Sequence, residues 1–337
     1  MKLAIYLVIA ASSWYLLNGL AGVLRPLLLA ILLGYVILPI YHRFKKRVPT
    51  FLAMLGVIGV TLLSFLIVVR IINNNVAELN KELPRLEEEA RKKINAVEEY
   101  TKVHAPWITH VTDDIEKLEQ TTYEFLKSFV ASLLERLASF ALELAVVILY
   151  LTFMLVEAGR FPARVRKAFP VENAERIGIT IEGINDKIAD YLFAKVLSSL
   201  ILAVPITLVC WVCDVKFGSL WGLLTFFCNF IPYIGSLIGF VVPSIFVVLD
   251  LPWGIQPVIV MVLFLAIYMI SSSFVEPMLL GRAVGLSPIM ILLSLTFWGQ
   301  CWGVGGMVLA VPLTVMIKII MENIAVTAPV ARLVGDD

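Results

Sequence analysis

The polar residues best placed to handle a solute or an ion stand where apolar segments break. Asn229-Phe-Ile-Pro-Tyr-Ile-Gly235 closes one short apolar piece, Ser236-Leu-Ile-Gly239 opens the next, and Pro243 follows. Proline removes a backbone donor and glycine relaxes φ, so helical hydrogen bonding lapses around Pro232, Tyr233 and Gly235. The freed carbonyls, with the Asn229 amide beside them, can bind a solute or a cation. The same residues also fit a tight turn at one membrane face. A second group runs from Ser271-Ser-Ser273 through Glu276-Pro277 and Leu280-Gly-Arg282 to Gly285-Leu-Ser287-Pro288. A carboxylate at the end of a span, with an arginine six residues on, is either a proton- or cation-handling group or an interfacial anchor paired with that arginine. Pairing keeps the acid charged, whereas proton carriage needs burial that favours the neutral form. Asn229, Pro232, Tyr233, Gly235, Ser273, Glu276, Arg282 and Ser287 are thus candidates for a substrate or ion pathway. Gly239, Pro277, Pro288, Gly299, Gly303 and Pro312 are candidates for hinges or close helix packing.

Enzyme signatures are nearly absent. The histidines are His42, His104 and His110, none inside an apolar segment, so a Ser-His site or an H-E-x-x-H metal site within the membrane is excluded on residue type. There is no Walker A motif and no G-x-G-x-x-G after a strand, so ATP-driven transport by this chain alone is not expected. The cysteines at 210, 213, 228 and 301 all lie in apolar segments. Cys210 and Cys213 form a C-x-x-C without the second pair of a zinc site or the strand–helix setting of a redox motif, and read as small buried residues. Neither catalysis nor a metal or other cofactor is expected.

The elements that must position these residues follow from composition. Apolar residues make up 60% of 337 positions and charged residues 16%, against roughly 45–50% and 25% in a soluble domain. The charges gather at 42–49, 73–136 and 157–195, leaving the C-terminal half sparsely charged. That distribution predicts an all-α, polytopic membrane protein whose partner is the lipid bilayer. The net charge of +1 says nothing about nucleic acid, but no basic run is interleaved with aromatics, so a nucleic-acid partner is set aside. Apolar runs long enough to cross occur near 3–22, 24–41, 51–72, 137–157, 191–213, 256–275 and 302–322. Shorter pieces at 217–232, 236–250 and 287–300 read as half-helices or re-entrant hairpins, which need protein or a water-filled cavity around them. The expectation is about seven or eight full spans plus these short pieces. The first run exceeds a signal-peptide core and is followed at once by another, so it is read as a span.

The chain divides into a three-span region (1–72), an external amphipathic segment (73–136), a fourth span with an amphipathic linker (137–195), a C-terminal region of broken helices (196–324) and a tail (325–337). Arg43, Lys45, Lys46 and Arg47, and then Arg160, Arg164, Arg166, Lys167 and Arg176, mark two cytoplasmic loops and place both termini inside. In the external segment, Val76, Leu79, Leu83, Leu86, Ala90, Ile94 and Val97 recur at helical spacing, and the pattern resumes from Ile115 to Leu137. This predicts a helical hairpin joined near His104–His110, which either folds on itself or meets another subunit. Ile177, Ile181, Ile184, Ile188 and Tyr191 form a second amphipathic face leading into the fifth span. Arg25, Glu143 and Lys318 lie near span ends and are expected to snorkel.

The order of motifs in the C-terminal half resembles the AI-2E family, named for autoinducer-2 export. The resemblance rests on Asn229–Gly235, Glu276-Pro277, Gly281-Arg282, Gly285–Pro288, the Trp298-Gly299 and Trp302-Gly303 steps and Leu309-Ala-Val-Pro-Leu313, with Arg25-Pro26 to Pro39 similar to the family's second span. It implies a secondary transporter or exporter of the bacterial cytoplasmic membrane, carrying an autoinducer-2-like small polar solute or exchanging cations for protons. It also implies a homo-oligomer, in the family plausibly a pentamer, with an elevator-like moving part. An oligomeric passive channel or pore is the alternative. Ser273 departs from the family pattern, in which asparagine often stands three residues before the glutamate.

Overall fold

The computed structural model describes residues 14–104 and 143–334, apart from 47, 155, 158–160, 281–284 and 325, together with Ser12 and Ser128. Among these the secondary structure is helical, with no strand. The order is α1 (Ala21–Lys45), α2 (Thr50–His104), α3 (Glu143–Met154), α4 (Phe161–Ala168), α5 (Val171–Val212), α6 (Gly218–Cys228), α7 (Ile234–Asp250), α8 (Ile255–Ile270), a π-turn (Ser271–Val275), α9 (Glu276–Leu280), α10 (Pro288–Glu322) and α11 (Ala328–Val334). Five stretches among the described residues are long and apolar enough to cross a membrane, in α1, α2, α5, α8–α9 and α10. Their outward faces carry large apolar side chains such as Leu66, Trp211, Val262 and Phe274, as a surface solvated by acyl chains requires. The chain is a multi-pass membrane protein. Of the other expected spans, 3–22 lies half outside the described residues, and α3 represents 137–157.

Helix α2 joins the span over 51–72 to the first arm of the segment expected to be external without a break, passing through Pro84. Its 55 residues extend about 82 Å at 1.5 Å per residue, well over twice the ~30 Å of hydrocarbon. The apolar stripe beyond the span packs against the bundle. Leu79, Leu86 and Ala90 are buried in the core formed by α5 to α8, with Leu83 packed against it. The second arm expected from 115 to 137 lies outside the described residues, apart from Ser128.

Three apolar clusters organise the bundle. One joins Leu202, Ile206 and Cys210 of α5 to α2, α6, α7 and α8, with Trp221, Phe246 and Phe264 among its members. A second joins Ile188, Tyr191 and Leu192, lower on the same helix, to Leu32 of α1 and to α10. The third ties α1, α2 and α3 together through Ala30, Val57 and Leu151. Helix α5, 42 residues long, is therefore a spine shared by two cores.

Two hairpins pack against this spine. Helices α6 and α7 run antiparallel so closely that a Cβ on Gly235 would lie 1.6 Å from the Cys228 carbonyl oxygen. The apolar pieces read separately at 287–300 and 302–322 form a similar pair within α10. Trp302 (φ −134°, ψ 16°) and Gly303 (φ 63°, ψ −142°) leave helical geometry there. A Cβ on Gly306 would fall 1.9 Å from the Trp298 carbonyl oxygen, although residues eight apart in a straight helix are separated by about 12 Å along its axis. The two arms therefore fold back on each other, and the positive φ at Gly303 favours glycine at the bend.

Candidate functional site

The seam between the two α5 cores is polar. Lys195, Ser198 and Ser199 follow one another on the inner face of α5, where the helical pattern calls for apolar residues, and their exposures are 2%, 0% and 0%. An ammonium in such a place needs a counter-charge and full hydrogen bonding. Glu276 supplies the charge: the Lys195 ammonium donates to its Oε1 in a short ion pair. The carboxylate keeps 31% of its side-chain surface accessible, so one end of the pair is sealed and the other open. Tyr191, one turn earlier on α5, is buried and lies within electrostatic reach of the same carboxylate.

The π-turn explains how Glu276 comes to face the spine. Pro257, Val260, Phe264, Tyr268 and Ser271 mark the buried face of α8 and its continuation, at steps of three, four, four and three. An uninterrupted α-helix would bring Val275 next onto that face. The π-turn over Ser271–Val275 inserts one residue and passes the position to Glu276. Ser273 falls on the exposed side of this turn, whereas Ser271 is buried.

Asn229 reaches the seam from the α6–α7 hairpin. Its amide nitrogen donates to Ser199 Oγ at 3.0 Å and to Ser198 Oγ at 3.4 Å, while Ser198 Oγ donates to the Lys195 carbonyl at 3.0 Å. Further along the hairpin, Tyr268 Oη donates to Thr225 Oγ1 at 3.3 Å and Thr225 Oγ1 to the Gly239 carbonyl at 3.4 Å. Gly239 has room for no more, because a Cβ there would stand 2.4 Å from Tyr268 Oη. The chain turns at Tyr233 (φ 64°, ψ −57°), where the Ile234 amide donates to the Pro232 carbonyl at 2.7 Å. This is the positive-φ γ-turn, a rare and strained form, and the Tyr233 side chain is exposed.

The spine thus brings Asn229 and Glu276, far apart in sequence, to neighbouring turns of one helix. Gly235 is buried at the hairpin tip and Pro232 half-buried beside it. Ser287 has a local role, capping α10 by accepting from the Met290 amide at 3.4 Å, with Pro288 in the first turn. Pro277 is exposed, Pro312 is buried in the second arm of α10, and Gly299 faces Met307 across the arms. Arg282 lies outside the described residues; the cation that pairs with Glu276 in the structure is Lys195. Sequence reasoning missed this lysine because it closes a charged stretch, yet its position inside the apolar run 191–213 is a usable signal.

Three further charges, expected to snorkel, have protein partners in the structure. Arg25 and Glu143 form an ion pair with each other, and Arg25 also donates to the Trp302 carbonyl at 3.4 Å, where α10 bends. Lys318 is 8% exposed, donates to the Gly285 carbonyl at 2.5 Å and lies 3.7 Å from Glu322. Each charge finds protein partners within the bundle.

A polar layer enclosed between apolar cores, built at a helix break and a π-turn, is the arrangement expected of a membrane-buried binding site. Residues 3–326 match the family model described as AI-2E family transporter. The chain belongs to the AI-2E transporter family. It is 28% identical over 322 residues to the AI-2 transport protein TqsA of Escherichia coli (strain K12), covering 94% of this chain and 90% of that relative. It is 29% identical over 339 residues to YhhT of the same organism, whose name assigns transport only provisionally, covering 99% and 93%. As an AI-2E family member it is a membrane transporter, and the polar seam on α5 is a candidate interior site.

Proposed function

We propose that this chain is a secondary transporter of the bacterial cytoplasmic membrane that passes a small polar solute through the Asn229–Ser199–Lys195–Glu276 seam. The observation that carries the reading is the burial of those groups between two apolar cores, with one carboxylate face left open. A solute rich in hydroxyls, of the kind named in the autoinducer-2 transport relative, matches the mixture of amide, hydroxyl and paired charge; a proton or cation gradient supplies the energy. The expected orientation has both termini in the cytoplasm, the chain assembles as a homo-oligomer, and residues 196–324 form the transport region. Purified protein in proteoliposomes is expected to move autoinducer-2 or a related polyhydroxylated solute in a saturable, gradient-driven manner. Glu276→Gln is expected to reduce that flux at least tenfold while leaving expression intact. Ohmic single-channel currents without coupling would replace this reading with a passive pore, and flux no greater than in empty vesicles would overturn it.

A further inference from the structure

We infer that Lys195 is the coupling residue of the site: a resident counter-cation whose bond to Glu276 locks α9 to the spine until a proton takes its place. The inference rests on the transport reading above and adds the residue that links ion loading to movement. Lys195 is the more deeply buried partner, and among the described residues its ammonium has one anionic acceptor, Glu276 Oε1. Glu276 begins α9 directly after the π-turn, so the ion pair fixes the orientation of a segment attached through the least regular turn of its helix. A π-turn can revert to α-helical register by a one-residue shift, which would carry Glu276 off the face it now shares with α5. The ion pair opposes that shift.

Among the described residues, several ionisable groups on the elements around this pair have partners of their own, while Asp186, Lys187 and Asp190 on α5 are exposed. Tyr191 shares the α5 face below Lys195. On α1, which packs on α5, Tyr35 donates to Asn185 Oδ1 at 2.5 Å and Arg25 pairs with Glu143. On α10, also packed on α5, Lys318 is held by the Gly285 carbonyl and Glu322. From α6, the neutral amide of Asn229 faces the serines, and from the π-turn comes Ser271.

The step balances simply. A proton from one side of the membrane adds to the Glu276 carboxylate, giving the neutral acid, and the attraction to the Lys195 ammonium is lost. Lys195 keeps its own proton throughout. On the other side the acid releases its proton and the ion pair reforms. Neutralisation of Glu276 and release of α9 are one event, which is what coupling requires.

The test uses full-length protein in two measurements. In proteoliposomes, Lys195→Met is expected to lose the acceleration of solute flux by an imposed proton gradient, measured against its own flux without a gradient; Lys195→Arg retains it. Separately, with the four cysteines replaced, spin labels at Phe193→Cys and Met278→Cys, both exposed, report the distance between α5 and α9. Acidification is expected to populate a second distance, and Glu276→Gln to hold that distance at every pH. A distance distribution insensitive to both pH and Glu276→Gln overturns the inference even if Lys195→Met fails to fold. Coupling in Lys195→Met equal to the parent overturns it as well. Absence of gradient-driven flux in the parent protein would instead overturn the transport reading itself.

Discussion

Replacing Gly235 with alanine tests whether the α6–α7 hairpin must pack as closely as the structure has it. An added methyl would stand 1.6 Å from the Cys228 carbonyl oxygen, 2.5 Å from its carbon and 3.3 Å from the Asn229 nitrogen. All three are backbone atoms, so no rotamer change relieves the clash and the arms must move apart. Overpacking of this kind costs about 1–3 kcal/mol, while alanine in place of glycine returns at most about 1 kcal/mol of helix propensity. With the full return the net cost is about 0–2 kcal/mol, toward the upper end because the clash is with backbone atoms, and displacing Asn229 from Ser198 and Ser199 should also reduce transport. Thermal unfolding of purified protein in detergent, followed by tryptophan fluorescence, gives the stability, and proteoliposome flux gives the function. Gly59→Ala is the control: it lies on α2 with nothing within 4 Å of where an added methyl would stand, and is expected to be neutral or slightly stabilising. A Gly235→Ala protein that melts and transports like the parent would show that the hairpin is looser than described, and the placement of Asn229 would lose its basis.

Asn229→Leu removes the amide shared by two buried serine hydroxyls, and is expected to cost about 1–3 kcal/mol and most of the flux; an unchanged KM and kcat for transport would remove Asn229 from the pathway. Lys93→Met should loosen the outer end of α7, because the Lys93 ammonium donates to the carbonyls of Val248 (2.6 Å), Leu249 (3.2 Å) and Leu251 (2.6 Å). A loss of about 1.5–3 kcal/mol would appear as faster amide hydrogen exchange around 248–254, and unchanged exchange there would refute the clamp. Tyr233→Gly relieves a strained backbone worth about 1–3 kcal/mol and adds about 0.5–1 kcal/mol of unfolded-state entropy. A net rise in melting temperature is expected, and a fall would contradict the γ-turn.

Much of this architecture is written locally. Membrane class follows from the apolar excess, and the break at Asn229–Gly235 from proline and glycine flanking an amide. The bend in α10 follows in part from Trp302-Gly303, since a positive φ favours glycine. What was not legible depends on partners distant in sequence. Lys195 and Glu276 are 81 residues apart, and nothing near either names the other. The π-turn leaves no distinctive composition in Ser271–Val275, so the sequence places Glu276 at the end of a span and leaves open whether it handles a proton or cation or pairs with Arg282. The external arm likewise showed an apolar stripe without saying what it covers. The cover is the α5–α8 core, held in addition by Arg85 to Asp250 Oδ1 at 3.2 Å and by Lys216 to Glu82 at 2.8 Å.

The energetics of the seam argue that its charges serve something other than stability. A buried ion pair recovers its desolvation cost only with good geometry, and replacing such pairs by apolar groups of similar volume is often neutral or stabilising by about 1–4 kcal/mol. At this position α5 has an apolar core on either side, so a methionine and a leucine would continue the pattern of Leu192 and Leu202 at little cost. The structure instead places an ammonium, two hydroxyls and a carboxylate there, adds an amide from a strained hairpin, and uses a π-turn to aim the carboxylate. Each device is locally unfavourable or neutral, and together they meet at one level of one helix. The common product of these costs is a charge pair sealed on one side and open on the other, a poor fastening for a bundle and the arrangement that the proposed coupling requires.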